Sequence, residues 1–232
     1  MKRFYKAASI DQSNDGFGVL LDGRPVRTPG GAPVRVTSKR LAEALSHEWS
    51  AQAETINPLS MPMTQLTYTA IDLMTDVRED KIAELVRYGD TDLVCYRAER
   101  PQTLVATQEA QWQPLLDWLR QCHDINLKTF TGVLPQPQDS SALTRLREII
   151  SSYDDFALMA LYMGATSAGS VVISLAMMEN ALTAEAAADA AQVDDRHQIQ
   201  TWGPDEEAVA RLARSREDIE TAWRFRSLLT AA

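Results

Sequence analysis

Residues 56–62 read Ile56-Asn57-Pro58-Leu59-Ser60-Met61-Pro62, and the fold turns on this stretch. Each proline lacks a backbone N–H, and each biases the residue before it, Asn57 and Met61, away from the α region. A helix arriving from the N-terminal side must stop here, and a new one can start at Pro62. Before the stretch, short apolar runs alternate with turn residues; after it, apolar residues recur at helical spacing almost to the last residue. The expected fold class is α+β. A small N-terminal sheet-rich domain with one covering helix occupies residues 1–64, and a larger C-terminal all-helical domain occupies residues 65–232.

Toward the N-terminus, Ser38 is placed to cap a helix in which Leu41, Leu45 and Trp49 recur at every fourth position. Further upstream, residues 17–21 and 24–28 flank Asp22-Gly23, a two-residue hairpin signal, and Asn14-Asp15-Gly16 and Pro29-Gly30-Gly31 bound the pair. Residues 34–36 continue as another short strand. The helix covers one face of the small sheet that these hairpins build.

Toward the C-terminus, Leu66, Thr69, Ala70 and Leu73 form one stripe, and Ile82, Leu85 and Val86 another after an Asp76 cap. Tyr88-Gly89-Asp90-Thr91-Asp92 reads as an interruption. Pro101 opens a helix through Cys122 whose face carries Leu104, Val105, Gln108, Trp112, Leu115, Leu116 and Leu119, with a kink or break expected at Pro114. Residues 125–134 look β-like and end at Pro135-Gln136-Pro137. Residues 153–163 and 167–182 are apolar on nearly every side, which places them at the centre of a bundle, with Gly164, Ala165, Ala168 and Gly169 allowing close approach and Met159, Met163, Met177 and Met178 in the core. An alanine-rich helical run over 183–201 and a last helix over 205–229, with Val209, Leu212, Ile219, Ala222 and Trp223 on its apolar face, complete the chain.

With 232 residues, 45% of them apolar and 24% charged, the chain is long enough to fold on its own core. A net charge of −9 argues against nucleic-acid binding, which depends on Lys and Arg neutralising phosphates. The charge is uneven: residues 1–65 hold eight Lys/Arg against six acids, whereas 66–178 hold nine against fifteen and 179–232 six against eleven. Two cysteines, Cys95 and Cys122, form neither a disulfide framework nor a metal pattern, and the N-terminus MKRFYKAASI lacks the apolar core of a secretion signal. No apolar run approaches a membrane span. A cytosolic protein is expected.

Catalytic patterns are sought without result. His47, His123 and His197 form no HExxH, Gly16-Phe17-Gly18 lacks the third glycine of a dinucleotide loop, no phosphate loop occurs, and Ala165 spoils a GxSxG reading at 164–169. No metal, nucleotide or other cofactor is expected. Paired carboxylates do occur, at Asp90/Asp92, Asp154/Asp155, Asp194/Asp195 and Glu206/Glu207, and they leave open a small hydrolase-like enzyme using such a pair in an interdomain groove. Asp154-Asp155 fits plain helix capping better.

Residues 193–207, VDDRHQIQTWGPDEE, combine a helix stop, a helix start and an acidic cluster. Trp202-Gly203-Pro204 makes the elbow between two helices: glycine suits the residue after a helix and proline the first turn of the next. Asp205, Glu206 and Glu207 then fall in a first turn, where carboxylates favour the positive end of the helix dipole. On local pattern alone the acids are caps and Trp202 is core.

Four blocks resemble a known family. They are Arg3-Phe4-Tyr5 with Leu21-Asp22-Gly23-Arg24 and Thr28-Pro29; Glu48-Trp49 and Gln52 with Ile56, Pro58, Met61-Pro62, Thr64, Leu66 and Thr69-Ala70-Ile71-Asp72; Asp90-Thr91-Asp92-Leu93 through Cys95-Tyr96-Arg97, Pro101, Leu104-Val105, Gln108, Trp112 and Pro114-Leu115; and Gln198, Trp202-Gly203 and Glu206. In this order they resemble the assembly chaperones of the F1 sector of ATP synthase that act on the alpha subunit, found in mitochondria and alphaproteobacteria. The resemblance implies a non-catalytic protein with a sheet-rich N-terminal and a helical C-terminal domain. Such a protein binds the new alpha subunit and shields its beta-facing surface, in the bacterial cytoplasm or, for eukaryotic relatives, the mitochondrial matrix. It also implies that Glu206 is the acidic position after Trp-Gly and that Asp194 and Asp195 are the acids preceding the glutamine. Asp205, Glu207 and Gln113 depart from the family pattern. The expected partner contacts are Glu206, Asp194, Asp195, Asp205 and Glu207, beside a structural elbow of Trp202 and Gly203; Trp49 and Trp112 are expected in the core.

Overall fold

The computed structural model describes residues 1–72, 74–132 and 136–230. The expectations for Leu73, Leu134 and Pro135 lie outside the described residues. The chain divides into two compact units, one of Met1–Arg78, Asp154–Ala160 and Arg224–Ala232, the other of Glu79–Tyr153 and Leu161–Trp223.

In the first unit, β1 (Ala8–Ser13) and β2 (Gly16–Leu21) form an antiparallel hairpin, and β2 pairs on its other side with β3 (Arg24–Pro25) and, further along, β4 (Arg35–Val36). The Asp22-Gly23 signal is realised as a tight turn in which both residues take positive φ, 49° and 80°, the geometry that matches strand twist. Strand β1 went unread because its alternation, ASIDQS, is mostly polar. Helix α1 (Lys39–Ser50) is capped by the Ser38 hydroxyl, which accepts from Leu41 N–H, and buries Leu41, Leu45 and Trp49 against the sheet as expected.

The INPLSMP stretch is held by buried polar groups. Glu48 accepts from Met63 and Thr64 N–H, both at 2.8 Å, and from the Thr64 hydroxyl at 2.7 Å, so a carboxylate on α1 caps the open N-terminus of α2 (Pro62–Asp72). Gln52 accepts from Asn57 N–H and donates to Ser60, fixing the single 3₁₀ turn between the helices. This unit takes in the expected residues 1–64 and adds 65–78, 154–160 and 224–232. The contacts that recruit the later segments are specific: Phe156 stacks on Phe225, Asp155 pairs with Arg78 at 2.5 Å, and the Ser38 hydroxyl donates to Leu228 O.

The second unit is helical as expected, and among the described residues it adds one parallel pair of two-residue strands, β5 (Tyr96–Arg97) and β6 (Phe130–Thr131). Its segments belong to α3 (Met74–Asp90), α4 (Gln102–His123), α5 (Ser140–Ser152), α6 (Asp155–Ala168), α7 (Val171–Met178), α8 (Ala184–Ala191), α9 (Val193–Trp202) and α10 (Glu206–Leu229). Helix α3 runs through Gly89 and stops at Asp90, inside the expected interruption over residues 88–92. A Cβ at Gly89 would lie 2.2 Å from Leu146 Cδ2, so this glycine serves close helix packing and not a turn. Helix α4 likewise continues through Pro114, carried by the buried Trp112, Leu115, Leu116 and Leu119. The expected run over 183–201 is two helices: Gln192 leaves helical geometry (φ −106°, ψ 13°), and its buried amide donates to Leu212 O at 2.7 Å. Among the described residues of the β-like reading 125–134, strand is found at β6, since Ile125 and Leu127 are apolar for burial and not for strand pairing.

The apolar centre is where the sequence put it. Helix α7 is buried at every position, and Gly164 lets Ser174 approach, a Cβ there falling 2.5 Å from its hydroxyl oxygen. Trp112, Met177 and Met178 are fully buried; Met159 and Met163 are half-buried. On α10, Ile219 and Ala222 are core, but Val209 and Trp223 face solvent and Phe225 takes the buried place instead.

Candidate partner-binding site

Within the second unit a groove of about 830 Å³ is lined by Tyr96 and Arg97 of β5, by Arg100, Pro101 and Leu104 at the start of α4, and by Asp194, His197, Gln198, Thr201 and Trp202 of α9. Its walls are set by residues whose polar groups are tied down. Asp92, fully buried, caps the turn before β5 through Val94 N–H and accepts from the Ser170 hydroxyl at 2.6 Å and Val172 N–H at 3.1 Å. Burial pushes its carboxyl up to about 6 against the pull of those donors. Arg97, with a side chain only 10% exposed, donates to Val94 O and Gln108 O and lies 5.4 Å from the Trp112 ring centre. Trp112 in turn donates to Ala190 O at 2.8 Å.

Gln108 joins the two sides of the groove. Its Oε1 accepts from Ala98 N–H at 2.7 Å and its Nε2 donates to Asp194 Oδ1, also at 2.7 Å. Asp194 is half-buried, and burial, with the Asp195 charge adding to it, raises its carboxyl above the usual range despite the Gln108 hydrogen bond. Two buried polar atoms of groove residues, the Tyr96 hydroxyl and Arg97 Nη2, have no hydrogen-bond partner among the described residues.

Of the residues expected to form the site, the groove brings together Asp194 and Trp202. Asp195 forms an ion pair with Arg211 at 2.9 Å, and Asp205 accepts from Ala208 N–H at 3.0 Å, capping α10 from just outside it. Glu206 and Glu207 open α10, exposed, and neither pairs with another described residue. Gly203 ends α9 with φ 91° and donates to Ile199 O, the elbow role expected of it. Trp202 contradicts the local core reading: it is 78% exposed. The reason is its place at the end of α9, whose only buried residue is Val193.

Tyr96, Arg97, Arg100, Pro101, Leu104 and His197 were not singled out as site residues. They lie some way along the chain from the acidic stretch, and only the cluster of family-like residues at 95–108 signalled them. The remaining carboxylate pairs have structural work: Asp154 accepts from Ala157 N–H and Asp90 from Gln138 N–H. Among the described residues no group of three or more His, Cys, Asp or Glu could hold a metal ion, and no helix is long and apolar enough to cross a membrane.

An exposed tryptophan at the rim of a preformed, largely apolar groove is the equipment of a protein that holds other proteins, and comparison with known proteins gives the class as chaperone. The chain belongs to the ATP12 chaperone family, whose profile, described as ATP12 chaperone protein, matches residues 2–120. The mitochondrial protein atp12 of Schizosaccharomyces pombe is 26% identical over 219 residues, covering 89% of this chain and 75% of the relative. The crystal structure of Atp12 from Paracoccus denitrificans superposes with a TM-score of 0.95 at 37% identity, covering 99% of this chain and 98% of that one. The Agrobacterium tumefaciens protein Atu1473 gives 0.93 at 35% identity, over 99% and 86%. The matched residues 2–120 contain the first three family-like blocks, and the relatives extend the likeness through the fourth.

Proposed function

We propose that this chaperone captures the unassembled alpha subunit of F1 ATP synthase and covers its beta-facing surface until assembly, using the groove and the Trp202–Glu207 rim of the second unit. The observation that carries the reading is Trp202, 78% exposed beside the groove. Leaving an indole in water is costly unless a partner covers it, and tryptophan is the residue most enriched among binding hot spots. Glu206 and Glu207 add negative charge with no partner among the described residues, which steers a basic face toward the groove and keeps the contact reversible. A subunit destined for an obligate interface exposes apolar surface until its partner arrives, and a charged, moderately apolar cover protects it without competing to the end. The working compartment is the bacterial cytoplasm, or the mitochondrial matrix for eukaryotic relatives. No observation favours the hydrolase alternative, because most of the paired carboxylates are engaged in caps, ion pairs or amide hydrogen bonds.

Co-expression with the F1 alpha subunit tests this: the two proteins co-elute, and the alpha subunit loses solubility without the chaperone. Glu206→Lys weakens capture about tenfold, or 1.4 kcal/mol, while the fold stays intact and stability falls by no more than about 1 kcal/mol from the lost first-turn carboxylate. An alpha subunit that stays equally soluble alone, or never co-elutes, overturns the reading.

A further inference from the structure

The first unit holds a groove of its own, about 640 Å³, whose walls include Phe4, Trp49 and Tyr68 and whose rim carries Asp22, Arg24 and Arg27. It is preformed. The Tyr5 hydroxyl donates to Trp49 O at 2.6 Å, the Thr28 hydroxyl and Gly30 N–H both donate to Asp72, and the 22–23 turn is locked by its positive φ angles.

The rim is electropositive although the chain is acidic. Residues 1–36 hold six Lys/Arg against three Asp in a protein of net charge −9. The one carboxylate of the rim is already used: Asp22 accepts from Lys6 and Ala7 N–H at 2.9 to 3.1 Å. Arg24 is exposed and its side chain has no hydrogen bond or ion pair among the described residues, where the Arg27 guanidinium spends one N–H, on Gly31 O. Phe4, 64% exposed, touches the fold through an edge contact with Tyr5. Neither Phe4 nor Arg24 is explained by stability. The Tyr68 hydroxyl, pushed up to about 12 chiefly by burial, stays protonated and is a permanent donor.

We propose that this groove docks an extended acidic segment of a client protein, with an apolar or aromatic side chain seated among Phe4, Trp49 and Tyr68 and a neighbouring carboxylate on Arg24. Aromatic walls supply the apolar burial, and the guanidinium selects the sign of charge and the carboxylate geometry. This site is independent of the alpha-subunit reading, which rests on the second unit.

The test uses the full chain and a fluorescein-labelled decapeptide alternating Glu and Leu with one Phe, beside versions carrying Lys in place of Glu or Ser in place of Leu and Phe. Saturable binding of the acidic apolar peptide is expected, with amide shifts confined to groove residues and little binding of either control. Arg24→Glu and Phe4→Ser, both at exposed positions, each weaken it at least about tenfold without moving the melting temperature. Equal binding of the Lys peptide, unchanged affinity in both variants, absence of saturable binding or shifts elsewhere would overturn the proposal. So would a dimer in sedimentation that Arg24→Glu dissolves, since it would assign the groove to a second copy of this chain.

Discussion

The Nε2 amide of Gln108 on α4 donates to Asp194 Oδ1 on α9 at 2.7 Å, while the same side chain accepts from Ala98 N–H. One glutamine thus spaces the groove's two walls. Gln108→Ala leaves a half-buried N–H, that of Ala98, and a half-buried carboxylate without their partner, which costs about 2 kcal/mol. Urea unfolding measures that loss, and under the proposed function alpha-subunit capture falls with it because the walls lose their spacing. Asp194→Asn keeps a side chain able to accept the Gln108 bond and retains most of the stability.

Glu48 binds three donors of α2 from within the core. Glu48→Ala strands two helix N-terminal amides and costs about 3 kcal/mol in chemical denaturation. Gln at this position recovers part of it, since one amide oxygen replaces two carboxylate oxygens.

Asp92 gives the protein a pH dependence of unusual sign. Its folded-state carboxyl lies at about 6, above the ordinary 3.8, so the folded state binds the proton more tightly than the unfolded one. The group therefore penalises folding above pH 6 and ceases to do so as pH falls toward 4. From pH 7 to pH 5 its contribution raises unfolding free energy by roughly 1 kcal/mol, and Asp92→Asn removes that slope. Denaturant titrations at the two pH values measure both. A slope of the opposite sign in the native protein, or one that persists in the variant, would count against Asp92 as its source.

Trp202→Ala separates binding from stability. Its side chain is mostly in water, so unfolding free energy stays within about 0.5 kcal/mol of the native protein. Under the proposed function, capture of the alpha subunit weakens by about 2 kcal/mol, the scale of an aromatic hot spot, in a titration of labelled chaperone.

The sheet, its covering helix and the run of helices after residue 62 were legible because each follows from local physics: a turn signal at Asp22-Gly23, a Ser38 cap, Pro62 opening α2, apolar residues at helical spacing. The misreadings share one cause. The unbroken helix read over 183–201 follows from alanine-rich backbone propensity, whereas the hydrogen bond from Gln192 to Leu212 goes with the break there; burial of Trp112 and its neighbours likewise carries α4 past Pro114 without a break. Propensities worth about 1 kcal/mol per residue, or about 3 for proline, yield to such contacts.

The acidic stretch illustrates the same division. Its elbow was readable, because a glycine of positive φ followed by proline dictates a break between helices whatever surrounds it. That Trp202 is exposed, that Asp194 turns in toward Gln108 while Glu206 stays in water, and that residues 96–104 form the opposite wall were not. Chain direction and caps are local properties of a dozen residues. Exposure and groove formation depend on which distant segments arrive alongside, and only the tertiary structure decides that.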